Sequence, residues 1–439
     1  MITRRRLLSG SAALPFMLAG SVSAQPYVDA GAFGLGDGAG DQSTALEIAI
    51  DAAASLGQVL ALRAGTYEIS NLRISRAVTL RGNGETILRL GEGDSILAIV
   101  DCADVTLEGL IFEGPPNPQS GDTALLDLTQ ATRISIRDCV FRRADGIGVR
   151  VHDAGGRIEA SRFSDIADTA IFATDSRGLD LLGNAIGNCG NGGIRIWRQQ
   201  QGFDGSRLTG NRIDAIDWRA GGNGQNGNGI NIFRADGVSI FDNSIADCAF
   251  SAIRLNATDG TRVIGNHCID SGEVSIFSEF GFSGSIISDN LVEGGAAGIS
   301  MTNFDRGGRM SLCKGNIVRN LAKGSRTNPG VVPYGIAAEA DTIVQGNIVE
   351  AVPGTGINVG WGPYLRDVLV SDNLVRDCDT GISVSVAPGA GHARIEGNVV
   401  SGSRRHAIVG AQWDKIVSTD LVADAARYTS IAIGANSVL

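Results

Sequence analysis

Residues 227–245, GNGINIFRADGVSIFDNSI, hold a Gly-Asn pair, a short alternating apolar run, a turn, a second run and an Asp-Asn. The phrase returns, reworded, down most of the chain. Its second half recurs as GNAI, GNRI, DNSI, GNHCI, DNLV, GNIV, GNIV, DNLV and GNVV. These carry Asn184, Asn211, Asn243, Asn266, Asn290, Asn316, Asn347, Asn373 and Asn398, separated by 27, 32, 23, 24, 26, 31, 26 and 25 residues. A period in this range belongs to solenoids, propellers or arrays.

The first half of each unit is an alternating strand: GIGVRV, TAIFAT, GGIRIW, NGINIF, SAIRLN, VSIFSE, AGISMT, YGIAAE, TGINVG and TGISVS. Aligned on Ile147, Ile171, Ile194, Ile230, Ile253, Ile276, Ile299, Ile336, Ile357 and Ile382, the second residue onward is always apolar or small. A period of two is half-buried strand. Leucine-rich repeats would need helix-compatible connections, and propeller blades a period nearer 40. Strand, turn, strand, turn in roughly 25 residues instead closes one coil of a solenoid, and stacked coils bury one continuous core. The expected fold is all-β: a single-stranded right-handed parallel β-helix, its repeated Asn forming a ladder at about 4.8 Å per coil.

Ends of such a solenoid need covering, because exposed strand edges invite pairing. Residues 43–56 read as an amphipathic helix with a Thr44…Glu47 capping box. The expected division is residues 1–24 a signal segment, 25–58 entry and capping helix, 59–413 β-helix and 414–439 a C-terminal cap. In the first segment Arg4, Arg5 and Arg6 precede Leu7-Leu8, a short apolar stretch and Val22-Ser23-Ala24. That is a targeting pattern too short to span a bilayer, with the paired arginines of twin-arginine export; an ordinary secretory signal is the alternative. The expectation is a periplasmic or secreted protein that meets the twin-arginine export machinery and has no transmembrane segment in its mature chain. Loss of three arginines takes the net charge from −10 to −13. No basic tract remains, so nucleic acid is not an expected partner. Seven cysteines lack a CxxC pattern, and Cys189, Cys248 and Cys378 each follow a repeat Asn by five residues, as stacked buried thiols would.

The stretch DAGAFGLGDGAGDQSTALEIAIDAAA, followed by VLALRAGTYEI and VTLRGNG, resembles the entry into pectin-lyase-like right-handed parallel β-helices, and the whole mature chain is similar in layout. SEFGF (278–282), TNFDRGGR (302–309) and GWGPYLRD (360–367), on a chain with a twin-arginine signal, resemble a group of exported bacterial repeat proteins with no assigned activity. The superfamily implies polysaccharide lyases, hydrolases and epimerases. The Asp pairs and Gly-His-Gly of polygalacturonases, the Arg-Pro segments of pectate lyases and the Asp-Pro-His-Glu of alginate epimerases are absent here.

Positions one and three after the aligned Ile face outward, and they place carboxylates, guanidinium groups, amides and rings side by side, a set suited to sugars. Long insertions at 214–227 and 320–333 enter this strand, and 197–206, 303–310 and 361–367 leave it; such loops are expected to wall a groove. The candidate catalytic carboxylates are Glu279, Glu339 and Asp305. Glu279 and Glu339 stand one intervening coil apart, about 10 Å along the axis, at the edge of the inverting-glycosidase range. The other reading of Glu279 is an ion pair with Arg254 one coil away. Candidate substrate-binding residues are Trp197, Phe233, Arg254, Asn256, Asn303, Arg309, Asp341, Trp361, Tyr364 and Arg366, with Arg254, Arg309 and Arg366 as cations for a sugar carboxylate. An acidic polysaccharide, bound and cleaved or epimerised, is the expected partner; a non-catalytic glycan-binding or envelope protein is the alternative. No metal or other cofactor is expected. A Ca2+-bridged polyanion would suit the acid surplus, but no calcium-loop motif is present.

Overall fold

The computed structural model describes residues 27–38, 40–116, 122–222 and 224–439; the expected signal segment and its cleavage site lie outside them. The described chain winds into one parallel β-solenoid. Each coil lays down a Gly-Ile strand, a strand before the repeat Asn and a strand after it. The Gly-Ile strands stack into a fifteen-stranded sheet, from Leu72–Ile74 to Lys415–Ser418. The other two faces join as one sheet of 29 strands, because Val78–Leu90 and Val105–Glu113 each pair across both.

The aligned isoleucines stand in register from Ile171 through Ile194, Ile230, Ile253, Ile276, Ile299, Ile336 and Ile357 to Ile382, all inaccessible to solvent. The first alignment is off by two residues. Ile171 pairs with Val149, not Ile147, so Arg150 stands beside Phe172 in the first-position column and His152 beside Thr174 in the third. Residues 146–149 read Gly-Ile-Gly-Val, and a slip of two keeps every side chain on its own face; alternation cannot tell the two registers apart.

Inside the core Phe112, Phe141 and Phe163 stack at 4.8 and 4.7 Å, the spacing of the strands themselves. At the corner between the second and third faces runs the Asn ladder. Each side chain from Asn184 to Asn398 donates through Nδ2 to the Oδ1 of the next, at 2.9–3.0 Å. The ladder continues to Asn436, which accepts from Asn398 at 2.9 Å. Residues 414–439 therefore do more than cover the end: Ile431–Ile433 and Ser437–Val438 pair in parallel with the previous coil.

The helix Ser43–Leu56 lies against the first strands and buries Leu46, Ala49, Ile50 and Ala53. The expected capping box does not form. Gln42 occupies the N-cap position without a side-chain bond, and Thr44 lies inside the helix. Asp41 takes over by accepting the Ser43 N–H at 2.9 Å, and Ser43 Oγ accepts the Ser70 N–H at 2.8 Å. All seven cysteines are free thiols, six of them buried. Burial pushes Cys139, Cys189, Cys268 and Cys313 up to about 12, which leaves them inert at neutral pH.

Candidate functional site

The outward columns of the Gly-Ile sheet change character halfway along. From Arg150 the first-position column runs through large side chains: Phe172, Arg195, Asn231, Arg254 and Phe277. These fill their own face. Arg195 is 5% exposed and donates to Asn226 Oδ1 at 2.6 Å and to the Asn191 carbonyl at 3.0 Å. Trp197 meets Phe172 and Phe233 edge-on, and its Nε1 donates to Asn231 Oδ1 at 3.0 Å. The 214–227 insertion brings Asn226 to Arg195 and the Gly224 carbonyl to Asn231 Nδ2. It bonds to the sheet face here instead of walling a groove, and Trp197 and Phe233 pack against each other and their neighbours on the sheet.

The next coils hold an ion-pair cluster. Arg254 grips Glu279 with Nε and a terminal nitrogen at 2.7 and 2.8 Å, and its other nitrogen reaches Glu273 at 2.9 Å. Asn256 adds a third donor to Glu279 at 2.8 Å, and Phe277 lies under the guanidinium. Glu279 is 2% exposed. The geometry thus places Glu279 and Asn256 around Arg254, in the arrangement of the ion-pair reading.

Beyond Phe277 the same column shrinks to Ser300, Ala337, Asn358, Ser383 and Val409. With the filling side chains gone, a cleft of about 580 Å3 opens over these coils, within the usual size of a ligand site. Its floor carries two rows in register: Tyr334, Thr355 and Thr380, and beside them Ala337, Asn358 and Ser383. Gly330–Pro333 of the second long insertion form one wall, and Asn328 ties that loop to Glu273 Oε1 at 2.9 Å. Trp361 and Trp413 close the other end, their rings 5.8 Å apart and edge-on, with Tyr364 against Trp413 at 6.1 Å. Both tryptophans remain more than two-fifths exposed. Gly362 between them has φ +57°, and a Cβ there would meet the Trp413 ring at 2.6 Å, so glycine lets the rings approach.

Glu339 sits in the third-position column on the cleft wall, 7% exposed. Burial pushes its carboxyl up to about 7, with the nearby Asp305 charge adding to the shift and the Phe304 N–H, 2.7 Å from Oε2, opposing it. Loss of solvent disfavours the charged form. The Phe304–Arg306 turn brings up that N–H together with Asp305, and Asn303 ahead of it accepts the Phe280 N–H at 3.2 Å. Arg366 stacks over Phe304 at 4.5 Å and clasps Asp341 at 2.8 and 2.6 Å, with Arg309 on the same carboxylate at 3.4 Å. Arg309, Asp341 and Arg366 therefore brace the turn outside the cleft.

Of the sequence-derived candidates, Glu339 and Trp361 line the cleft, Tyr364 supports it, and Asp305 and Asn303 stand at its rim. Glu273, Tyr334, Trp413 and Asp414 line it too and were absent from that set. The alignment carries no signal for Trp413: with Ile408 paired to Ile382, the next coil puts Val409 and Ala411 in the outward columns, and Trp413 follows the end of that strand. Burial also raises Glu273 and takes Tyr334 to about 12, the latter within the field of both Glu273 and Glu339.

A model described as the right handed beta helix region matches residues 59–224 and 125–308, together more than half the chain. No curated protein sequence matches it. Among solved structures, the Dettilon tailspike protein is similar at TM-score 0.50 and 16% identity over 88% of this chain and 68% of its own. PfbA, a surface adhesin of Streptococcus pneumoniae, is similar at 0.48 and 10% identity, covering 94% and 91%. The catalytic unit of a thermostable GH87 α-1,3-glucanase from Streptomyces thermodiastaticus is similar at 0.45 and 14%, covering 98% and 70%. The chain spans 57% of the length of ORF18 of Geobacillus virus E2, which it also resembles. With its coils, ladder and core described and the model matched across most of its repeats, the chain belongs to the right-handed β-helix family.

Proposed function

We propose that this protein binds a glycan in the cleft over the C-terminal coils of the Gly-Ile sheet. The observation that carries the reading is the pairing of Trp361 and Trp413, exposed and edge-on, with a floor of hydroxyl and amide groups. Aromatic faces cover the C–H side of a sugar while hydroxyls and amides meet its oxygens. The arginine-led signal pattern at residues 4–8 supports an encounter outside the cytoplasm. A glycan screen on the purified chain tests the reading: binding weakened at least tenfold in Trp413→Ala supports it, and binding by no envelope or plant glycan ends it.

A second reading, hydrolysis, is favoured by Glu339. A carboxyl near half-protonation at neutral pH is suited to general acid work. In this reading Glu339 gives its proton to the glycosidic oxygen as the C–O bond breaks. Water adds its oxygen to the anomeric carbon and gives up a proton to Glu273, the second carboxylate of the cleft. New reducing ends that disappear in Glu339→Gln while binding persists would support it. Equal turnover in the variant would rule out this assignment.

A further inference from the structure

We infer that the cleft selects a sugar chain without anionic groups, uncharged or amine-bearing, over a polyuronate. The inference deepens the glycan reading and rests on it. Among the described residues, the cleft wall carries three carboxyl groups, Glu273, Glu339 and Asp414, and no arginine, lysine or histidine. The three arginines best placed to neutralise a sugar carboxylate are committed elsewhere. Arg254 stands behind Glu273, bound to it and to Glu279. Arg309 and Arg366 share Asp341. An acidic polysaccharide, the partner expected from the overall acid surplus and these arginines, would bring its charge to a wall that offers carboxyl groups and, among the described residues, no free cation, since Arg254, the counter-charge of Glu273, is already held by Glu273 and Glu279. Like charges in a partly desolvated site repel strongly.

The neutral groups of the floor point the same way. Tyr334, Thr355 and Thr380 form one row and Asn358 and Ser383 another, stepping along the axis at about 4.8 Å per coil. Each hydroxyl both donates and accepts, and the amide offers two donors and an acceptor. Such a surface recognises hydroxyls, hydroxymethyls and amines without needing a charge on the ligand. A carboxylate site would instead present the bidentate fork of an arginine. Arg254 forms that fork here, but with Glu279.

The test is titration of the full chain, followed by tryptophan fluorescence and calorimetry. The ligands are hexamers of neutral hexoses and pentoses, of glucosamine, and of galacturonate and mannuronate, at 20 mM and 500 mM NaCl. The expected result is saturable binding of a neutral or amine-bearing member at least tenfold tighter than any uronate at low salt. Binding that weakens in high salt marks the amine-bearing chain, because exposed charge pairs are screened; binding indifferent to salt marks the neutral one. Asp414→Asn, on an exposed side chain of the cleft wall, should raise uronate affinity severalfold relative to that of the neutral hexamers; a uronate-to-neutral ratio that does not rise overturns the charge argument. A uronate that binds tightest and is lost in Trp413→Ala overturns the inference while sustaining the glycan reading. Absence of binding to every hexamer overturns both.

Discussion

Replacing Asn290 by Ala removes one rung from the middle of the ladder. Asn290 is 1% exposed. Its Oδ1 accepts the Asn266 backbone N–H at 2.9 Å and Asn266 Nδ2 at 3.0 Å, and its Nδ2 donates to the Val263 carbonyl and to Asn316 Oδ1, both at 2.9 Å. Alanine forfeits all four and keeps the two backbone bonds, the N–H to Asn316 Oδ1 at 3.1 Å and the carbonyl from the Ile317 N–H at 2.9 Å. At about 1 kcal/mol per net hydrogen bond the loss is about 4 kcal/mol, and the buried groups left unpaired add to it. Asn290→Asp should be no better: the carboxylate still accepts, but it faces the Val263 carbonyl and Asn316 Oδ1 with nothing to donate. Asn436→Ala, at the solvent-accessible end of the ladder, should cost about 1 kcal/mol because water replaces the lost partners. Urea unfolding followed by circular dichroism measures all three. A cost for Asn290→Ala under 1 kcal/mol, or equal to that of Asn436→Ala, would refute the ladder as a source of stability.

The raised Glu339 carboxyl makes stability depend on pH. The native chain keeps this proton up to about 7, whereas the unfolded chain releases it near the ordinary 4.5. The contribution is therefore complete below pH 4.5 and falls away as pH rises through 7, by about 3 kcal/mol. Glu339→Gln should match the wild type near pH 4 and exceed it at pH 8; parallel stability curves for the two proteins would contradict the assignment. Arg254→Ala strands Glu279 and Glu273, which are 2% and 7% exposed, and should cost about 3–5 kcal/mol. A change under 1 kcal/mol in the unfolding midpoint analysis would show that the cluster is not held by its cation.

The period of the Asn residues and the two-residue alternation before them were enough to specify the solenoid. Every coil repeats the same local problem, and stacking solves it the same way each time. The ladder and the isoleucine column are legible for that reason: they depend only on the coil above and the coil below. The ion pair of Glu279 with Arg254 was legible too, since it joins neighbouring coils at fixed columns. The cap of the helix was not, because Ser70 reaches Ser43 from a turn 27 residues away and leaves the Ser43 N–H to its neighbour Asp41. Nor was the choice between one covered stretch of the sheet and one open stretch. Glu279 and Glu339 occupy the same column, yet one lies beside an arginine and the other beside Ala337, on the wall of a cleft. What separates them is where the long insertions go. The 214–227 loop folds onto Arg195 and Asn231, while 330–333 stands back and Trp413 arrives from the last coils. Insertions lack the repeat's period, so their paths are decided only by tertiary packing, and with them the location and charge of the site.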